Sequence, residues 1–390
     1  MPSLGGLCAL VGDNLEPLFN CEIVWKQDKI VSIEGQKQGR IQDIRRIVIP
    51  SFINAHTHIG DSIAKDAYVG LTLEEAVDPH RGLKTKILSN ASKKEITHSM
   101  RRTLRECVSL GVTHIIDFRE GGLEGLSLAE EAARGVDIGL HLLGRLATPP
   151  QKERVLANQP FSDAELEELH RVCEKASGLG VSGANEYSDK MLEQIGDVAR
   201  SMNKLIAVHC LESENTRTRY GHLLGKDEFQ RCIHHLKPHI YVHMTCATPE
   251  EVRAASLAGK IVSCPRSNAA LANGFPPLKQ ILEYGGGLGT DNVMVNSPDM
   301  FREMEFCYKT LVGSTRTPNA NVGDVLKAAT VNVRGLLGLD PIQTGAKANF
   351  VVLNLESPWN VHASIVNRAQ KHSVRMVVKD GRVVHKSSAT

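Results

Sequence analysis

Between residues 47 and 339, short apolar segments of strand length alternate with stretches whose apolar residues recur every three or four positions. That alternation leaves few folds open. Eight segments read as strands, at 47–55, 112–117, 138–143, 180–184, 205–209, 239–243, 260–264 and 286–291, with clear amphipathic helices at 95–110 and 163–176. Strands followed each time by a helix predict a parallel sheet, and eight such units predict a (β/α)₈ TIM barrel, an α/β fold.

The two ends of the chain read differently. Segments 21–25 and 29–33 flank Asp28 as a hairpin would, and segments 348–353, 374–378 and 382–385 form a second set with Lys379-Asp380-Gly381 as a turn. The expected organisation is a small β-sandwich from residues 1–46 plus 340–390, and a catalytic barrel from 47–339. A chain of 390 residues exceeds one ordinary core, which fits two units.

Composition narrows the partners. A net charge of +2 with 23% charged residues gives no nucleic-acid footprint, so a small-molecule substrate is expected. No apolar stretch reaches membrane-spanning length, and Met1-Pro2-Ser3-Leu4-Gly5-Gly6 lacks a basic region followed by an apolar core. The expectation is a cytoplasmic protein without membrane contact. Nine cysteines lie scattered with no Cys-x-x-Cys pair, which argues for reduced thiols and against a disulfide framework or structural zinc knot.

In a barrel of this kind the site lies where the strands end at their C-terminal edge. His56 and His58 end the first strand, and residues at i and i+2 of a strand project to the same face. His209 ends the fifth strand, His243 the sixth and Asp291 the eighth. Imidazoles and a carboxylate converging on one mouth suit a divalent metal, Zn²⁺ or Fe²⁺ alike. His114 and His141, each alone on its strand, read as packed residues.

This constellation, together with the closing phrase Gly345-Ala346-Lys347-Ala348-Asn349-Phe350-Val351-Val352-Leu353, resembles the amidohydrolase superfamily nearly end to end. Barrels of that superfamily carry His-x-His on strand 1, histidines on strands 5 and 6 and an aspartate on strand 8. The resemblance implies one divalent ion, Zn²⁺ first and Fe²⁺ as the alternative, held by His56, His58, His209 and Asp291. It also brings a homodimer into view, with the oligomeric state open. Binuclear members bridge two metals with a carboxylated lysine on strand 4, and Gly183-Ala184-Asn185-Glu186-Tyr187 offers none. Glu186 reads as a loop residue, or as a bridging carboxylate in a two-metal version.

His209-Cys210-Leu211-Glu212, Cys264-Pro265-Arg266-Ser267-Asn268 and Leu288-Gly289-Thr290-Asp291-Asn292 are similar to the branch of cytosine, guanine and S-adenosylhomocysteine deaminases and triazine hydrolases. The implied function is an aminohydrolase releasing ammonia from a nitrogen heterocycle of pyrimidine, purine, pterin or triazine type. A bound divalent ion lowers the pKa of water from about 16 towards 7, and the hydroxide so formed attacks the ring. Asp291 would take the water's proton and pass it to the leaving ammonia, while His243 orients the nucleophile and stabilises charge. Glu212 would donate a proton to a ring nitrogen; its alternative is a helix N-terminal carboxylate.

The long polar stretch after His58 reads as a specificity loop. Asp61, Lys65, His80, Arg81 and Lys84 there, with Glu186 and Asn268, are the expected substrate contacts, and the basic members point to an anionic group on the substrate. Two other functions stay open: hydrolysis of a cyclic amide, imidazolone or other C–N bond, and a catalytically silent barrel with a binding or assembly role.

Overall fold

Ser51 divides the first apolar run into two strands that belong to different sheets. The computed structural model describes residues 1–78, 81–318, 320–356 and 358–387. Arg46–Pro50 lies in a seven-stranded sheet in the order Arg382–Lys386, Val374–Lys379, Phe350–Asn354, Arg46–Pro50, Ser3–Val11, Glu16–Lys26, Lys29–Gln36. Neighbours are antiparallel except Ser3–Val11 beside Arg46–Pro50, which run parallel.

The expected two-sheet sandwich is therefore one continuous sheet. The reason is Arg46–Pro50, which pairs with Ser3–Val11 on one side (Cys8 opposite Ile47) and with Phe350–Asn354 on the other (Val352 opposite Val48). It stitches the N-terminal strands to the C-terminal ones. Leu7, Ile23, Ile30, Val48 and Phe350 bury together, with Trp25 edge-on to Phe350 at 5.4 Å. The Trp25 indole N–H donates to the Gly381 carbonyl at 2.9 Å, so its one polar atom is satisfied.

Phe52–His58 lies in a curled sheet of nine parallel strands. The order is Gly287–Leu288, Lys260–Ser263, Ile240–His243, Leu205–Cys210, Gly178–Val181, Gly139–Gly144, Val112–Arg119, Phe52–His58, Asp291–Asn292. Its two edge strands are separated in sequence by Gly289 and Thr290 alone. Asn54 clamps that junction, donating to Thr290 Oγ1 at 2.7 Å and accepting from the Thr290 N–H at 2.9 Å. A Cβ on Gly289 would stand 2.7 Å from the backbone nitrogen of His56, so only glycine lets the chain pass this close.

The amphipathic segments form Lys93–Ser109 and Asp163–Lys175, each opened by a capping box, Ser92 with Glu95 and Ser162 with Glu165. The second strand runs past its expected end to Arg119, and the fourth sits earlier than expected, at Gly178–Val181. Ser3–Val11, too glycine-rich at its start to stand out, is a strand the periodicity missed. Among the described residues no helix is long and apolar enough to cross a membrane. The nine cysteines are free, all buried except the partly exposed Cys246.

Candidate metal centre

Three imidazoles meet where the parallel strands end. His209 Nε2 lies 3.2 Å from His56 Nε2 and 3.3 Å from His58 Nε2. Asp291 Oδ1 stands 3.1 Å from His56 Nε2 and 3.6 Å from His58 Nε2. A neutral imidazole carries one N–H, so three nitrogens this close cannot all be satisfied by one another. Three imidazole nitrogens and a carboxylate form a donor set for a divalent cation.

Electrostatics favour the protonation state that ligands need. Burial lowers the pKa of all three imidazoles, that of His58 to about 3 with the Lys84 charge adding to the effect. Burial works against the Asp291 carboxylate, yet the hydrogen bond from His56 and the charge of His243 hold it well below its ordinary range. Phe118 braces the group, stacked on His209 at 4.8 Å and edge-on to His56 at 4.6 Å.

His243 and Asp291 have left-handed backbones, with φ of 76° and 60°. Such a conformation costs a non-glycine residue about 1–3 kcal/mol and persists only where the surroundings impose it. Here both residues cap strands and face the same opening. The short helix Pro265–Ala270 fixes them from behind: Ser267 Oγ donates to Asp291 Oδ2 at 2.5 Å, and His243 Nδ1 lies 3.0 Å from Asn268 Oδ1. His243 Nε2 then faces Glu212 Oε2 at 3.5 Å, while Glu212 Oε1 accepts from Asn273 Nδ2 at 3.3 Å. Burial raises the Glu212 pKa, with Asp291 pushing the same way and His243 opposing. Glu214, not Glu212, opens the helix Glu214–Leu224 and takes the dipole position.

His58, His209, Glu212, His243 and Asp291 line a cavity of about 440 Å³. Of the expected substrate contacts, Arg81, Lys84 and Glu186 also line it. Asp61, Lys65 and Asn268 do not. Asp61 is buried beneath Lys84, Lys65 turns away to Glu106 at 3.5 Å, and Asn268 is buried behind His243. His80 falls outside the described residues. The basic residues bring their own counter-charges: Lys84 Nζ is 2.7 Å from Asp61 and 2.5 Å from Glu120, and Arg81 lies 3.9 Å from Asp78. The expectation of an anionic substrate group thus loses its main support.

Sequence reasoning missed Glu120, Arg119, Arg145 and the contact of Ser267. Glu120 Oε1 lies 3.2 Å from His58 Nδ1 and 3.3 Å from Arg145, while its Oε2 pairs with Arg119. Its signal was position: Glu120 directly follows the second strand, at the same C-terminal edge where His56, His58, His209 and His243 lie on theirs, but the strand was expected to stop at Asp117.

The chain matches the model of the amidohydrolase family over residues 47–384. It is 33% identical over 349 residues, 88% of each chain, to a Methanothermobacter thermautotrophicus protein that carries an aminohydrolase name. It is 29% identical, over an alignment of 425 positions covering 98% of this chain and 91% of the other, to 5-methylthioadenosine/S-adenosylhomocysteine deaminase 1 of Syntrophus aciditrophicus. The crystal structure of a zinc-bound adenosine deaminase from Xanthomonas campestris superposes with a TM-score of 0.82 at 17% identity, covering 97% of this chain and 92% of that one.

Proposed function

The chain belongs to the amidohydrolase family, and on that premise we propose that it is a metal-dependent aminohydrolase releasing ammonia from a nitrogen heterocycle, purine nucleosides first. Zn²⁺ is the ion we assign to His56, His58, His209 and Asp291, on the donor set and the zinc-bound neighbour. We read Gly287–Leu288 and Asp291–Asn292 as one interrupted eighth strand that closes a (β/α)₈ barrel running from Phe52 to residue 339, its expected start at Ile47 moved because Arg46–Pro50 belongs to the other sheet. Residues 1–46 plus 340–390 form the second domain, into which Arg46–Pro50 is sewn.

The observation that carries the reading is Glu212, a mostly buried carboxyl on the cavity wall, 3.5 Å from His243 and beside the convergent histidines. When bound, the ion supplies activation of water near neutral pH. Asp291 Oδ1 accepts a proton and returns it to the departing amine. His243 Nε2, its ring held by Asn268, orients the reacting group from the opposite side. Glu212 in its protonated form donates to a ring nitrogen, which makes the adjacent carbon electrophilic. An amidine-like ring carbon needs that proton, whereas a simple amide carbonyl does not.

The test is ammonia release by the Zn²⁺-loaded protein from cytosine, guanine, adenosine derivatives, pterins and triazines. Release from one ring class supports the reading. Stoichiometric metal with no ammonia from any member would overturn it, and a ring-opened product would favour hydrolysis of a cyclic amide instead.

A further inference from the structure

Of the three imidazoles that meet at the centre, His58 has its second nitrogen anchored by a carboxylate, whereas the buried His56 Nδ1 has no hydrogen-bond partner. His58 Nδ1 is 3.2 Å from Glu120 Oε1, and His58 Nε2 faces His209 and Asp291 on the other side of the ring. A carboxylate accepts and does not donate, so the proton of a neutral His58 sits on Nδ1 and the Nε2 lone pair is left free on the side of His209 and Asp291, where an ion would be held. Glu120 is itself held on every side. Lys84 Nζ reaches Oε1 at 2.5 Å, Arg145 reaches it at 3.3 Å, and Arg119 pairs with Oε2. Three cations around one carboxylate keep it ionised and leave it little freedom to turn.

We propose that Glu120 is the positioning residue of the metal centre, fixing the tautomer and ring orientation of His58 and thereby setting the affinity for the divalent ion. This rests on the reading of His56, His58, His209 and Asp291 as ligands, and is independent of the substrate. Lys84 extends the same device outward, since it belongs to the helix Leu83–Asn90 on the cavity wall and also binds Asp61 just beyond the first strand. Partners of metal-bound histidines typically change affinity by about 10–100-fold when removed.

The experiment strips the purified full chain with a chelator and titrates it with Zn²⁺ in competition with a fluorescent zinc indicator, for wild type, Glu120→Gln and Glu120→Asp. The thermal midpoint of each metal-free protein is recorded alongside. Glu120→Gln should bind Zn²⁺ about 10–100-fold more weakly. Glu120→Asp keeps the charge that Lys84, Arg119 and Arg145 require but draws it back from His58, and should fall in between with an unshifted metal-free midpoint. A folded Glu120→Asp protein with wild-type Zn²⁺ affinity overturns the proposal even if Glu120→Gln fails to fold. A wild-type chain that binds no Zn²⁺ instead overturns the ligand assignment beneath it.

Discussion

Ser267 Oγ donates to Asp291 Oδ2 at 2.5 Å, which leaves Oδ1 to face His56 at 3.1 Å. The hydroxyl thus divides the labour of the two carboxylate oxygens. Hydrogen bonds to charged groups contribute about 1.5–3 kcal/mol. Ser267→Ala should therefore lower kcat roughly 10–100-fold by loosening Asp291, with Zn²⁺ content held near wild type by the remaining ligands. Steady-state kinetics with metal analysis checks this; an unchanged kcat would show that Asp291 needs no such restraint.

Glu212→Gln preserves shape and hydrogen-bonding size but has no acidic proton to give. Ammonia release should fall by about 10²–10⁴-fold, the usual weight of a general acid, while bound Zn²⁺ stays stoichiometric. Near-normal turnover would remove the main argument for deamination.

Glu303 gives a pH signature away from the cavity. Burial raises its pKa from 4.5 to about 7 although Arg266 opposes, and its Oε2 has no hydrogen-bond partner. The native state therefore holds this proton while the unfolded state has lost it, so stability falls as pH rises from about 4.5 through about 7 and then levels off. Glu303→Gln retains the acceptor for the Arg266 N–H and removes the titration. Urea unfolding across this range should show a shallower decline for the variant; parallel curves would exclude Glu303 as the source.

Lys84 carries a different load. Its buried ammonium faces Asp61 and Glu120, and breaking a buried pair by deleting one partner costs about 3–5 kcal/mol. Lys84→Met should lose a comparable amount of unfolding free energy in the metal-free protein, measured by urea denaturation. A loss confined to KM with no change in stability would mean that Lys84 serves the substrate and not the scaffold.

Much of the centre was legible because metal ligation needs particular side chains at strand ends, and strand ends are readable from apolar runs. His56, His58, His209, His243 and Asp291 were found this way, Glu212 only through the family resemblance of His209-Cys210-Leu211-Glu212, and the six do converge. The loop residues were not legible, because a lysine or aspartate has the same appearance in sequence whether it faces substrate or an internal counter-charge. Asp61 and Lys84 neutralise each other, and nothing in their spacing announces it. Asn268 was noticed for the wrong reason, since only the fold reveals that it stands behind His243. The terminal sheet was misjudged through one strand: the apolar run of residues 47–49 resumes at Phe52-Ile53 after only Pro50-Ser51, so two strands of different sheets read as one run.

That change of sheet also joins the chain's ends to its candidate site. Arg46–Pro50 is gripped between strands from the two termini, and after Ser51 the same backbone enters Phe52–His58, which carries His56 and His58 to the candidate metal centre. A one-residue slip of the outer pairing would turn every side chain of Arg46–Pro50 to the opposite face of its sheet, directly ahead of the strand that carries both histidines. The strands of both termini thus moor the segment that leads into the two histidines of the candidate centre.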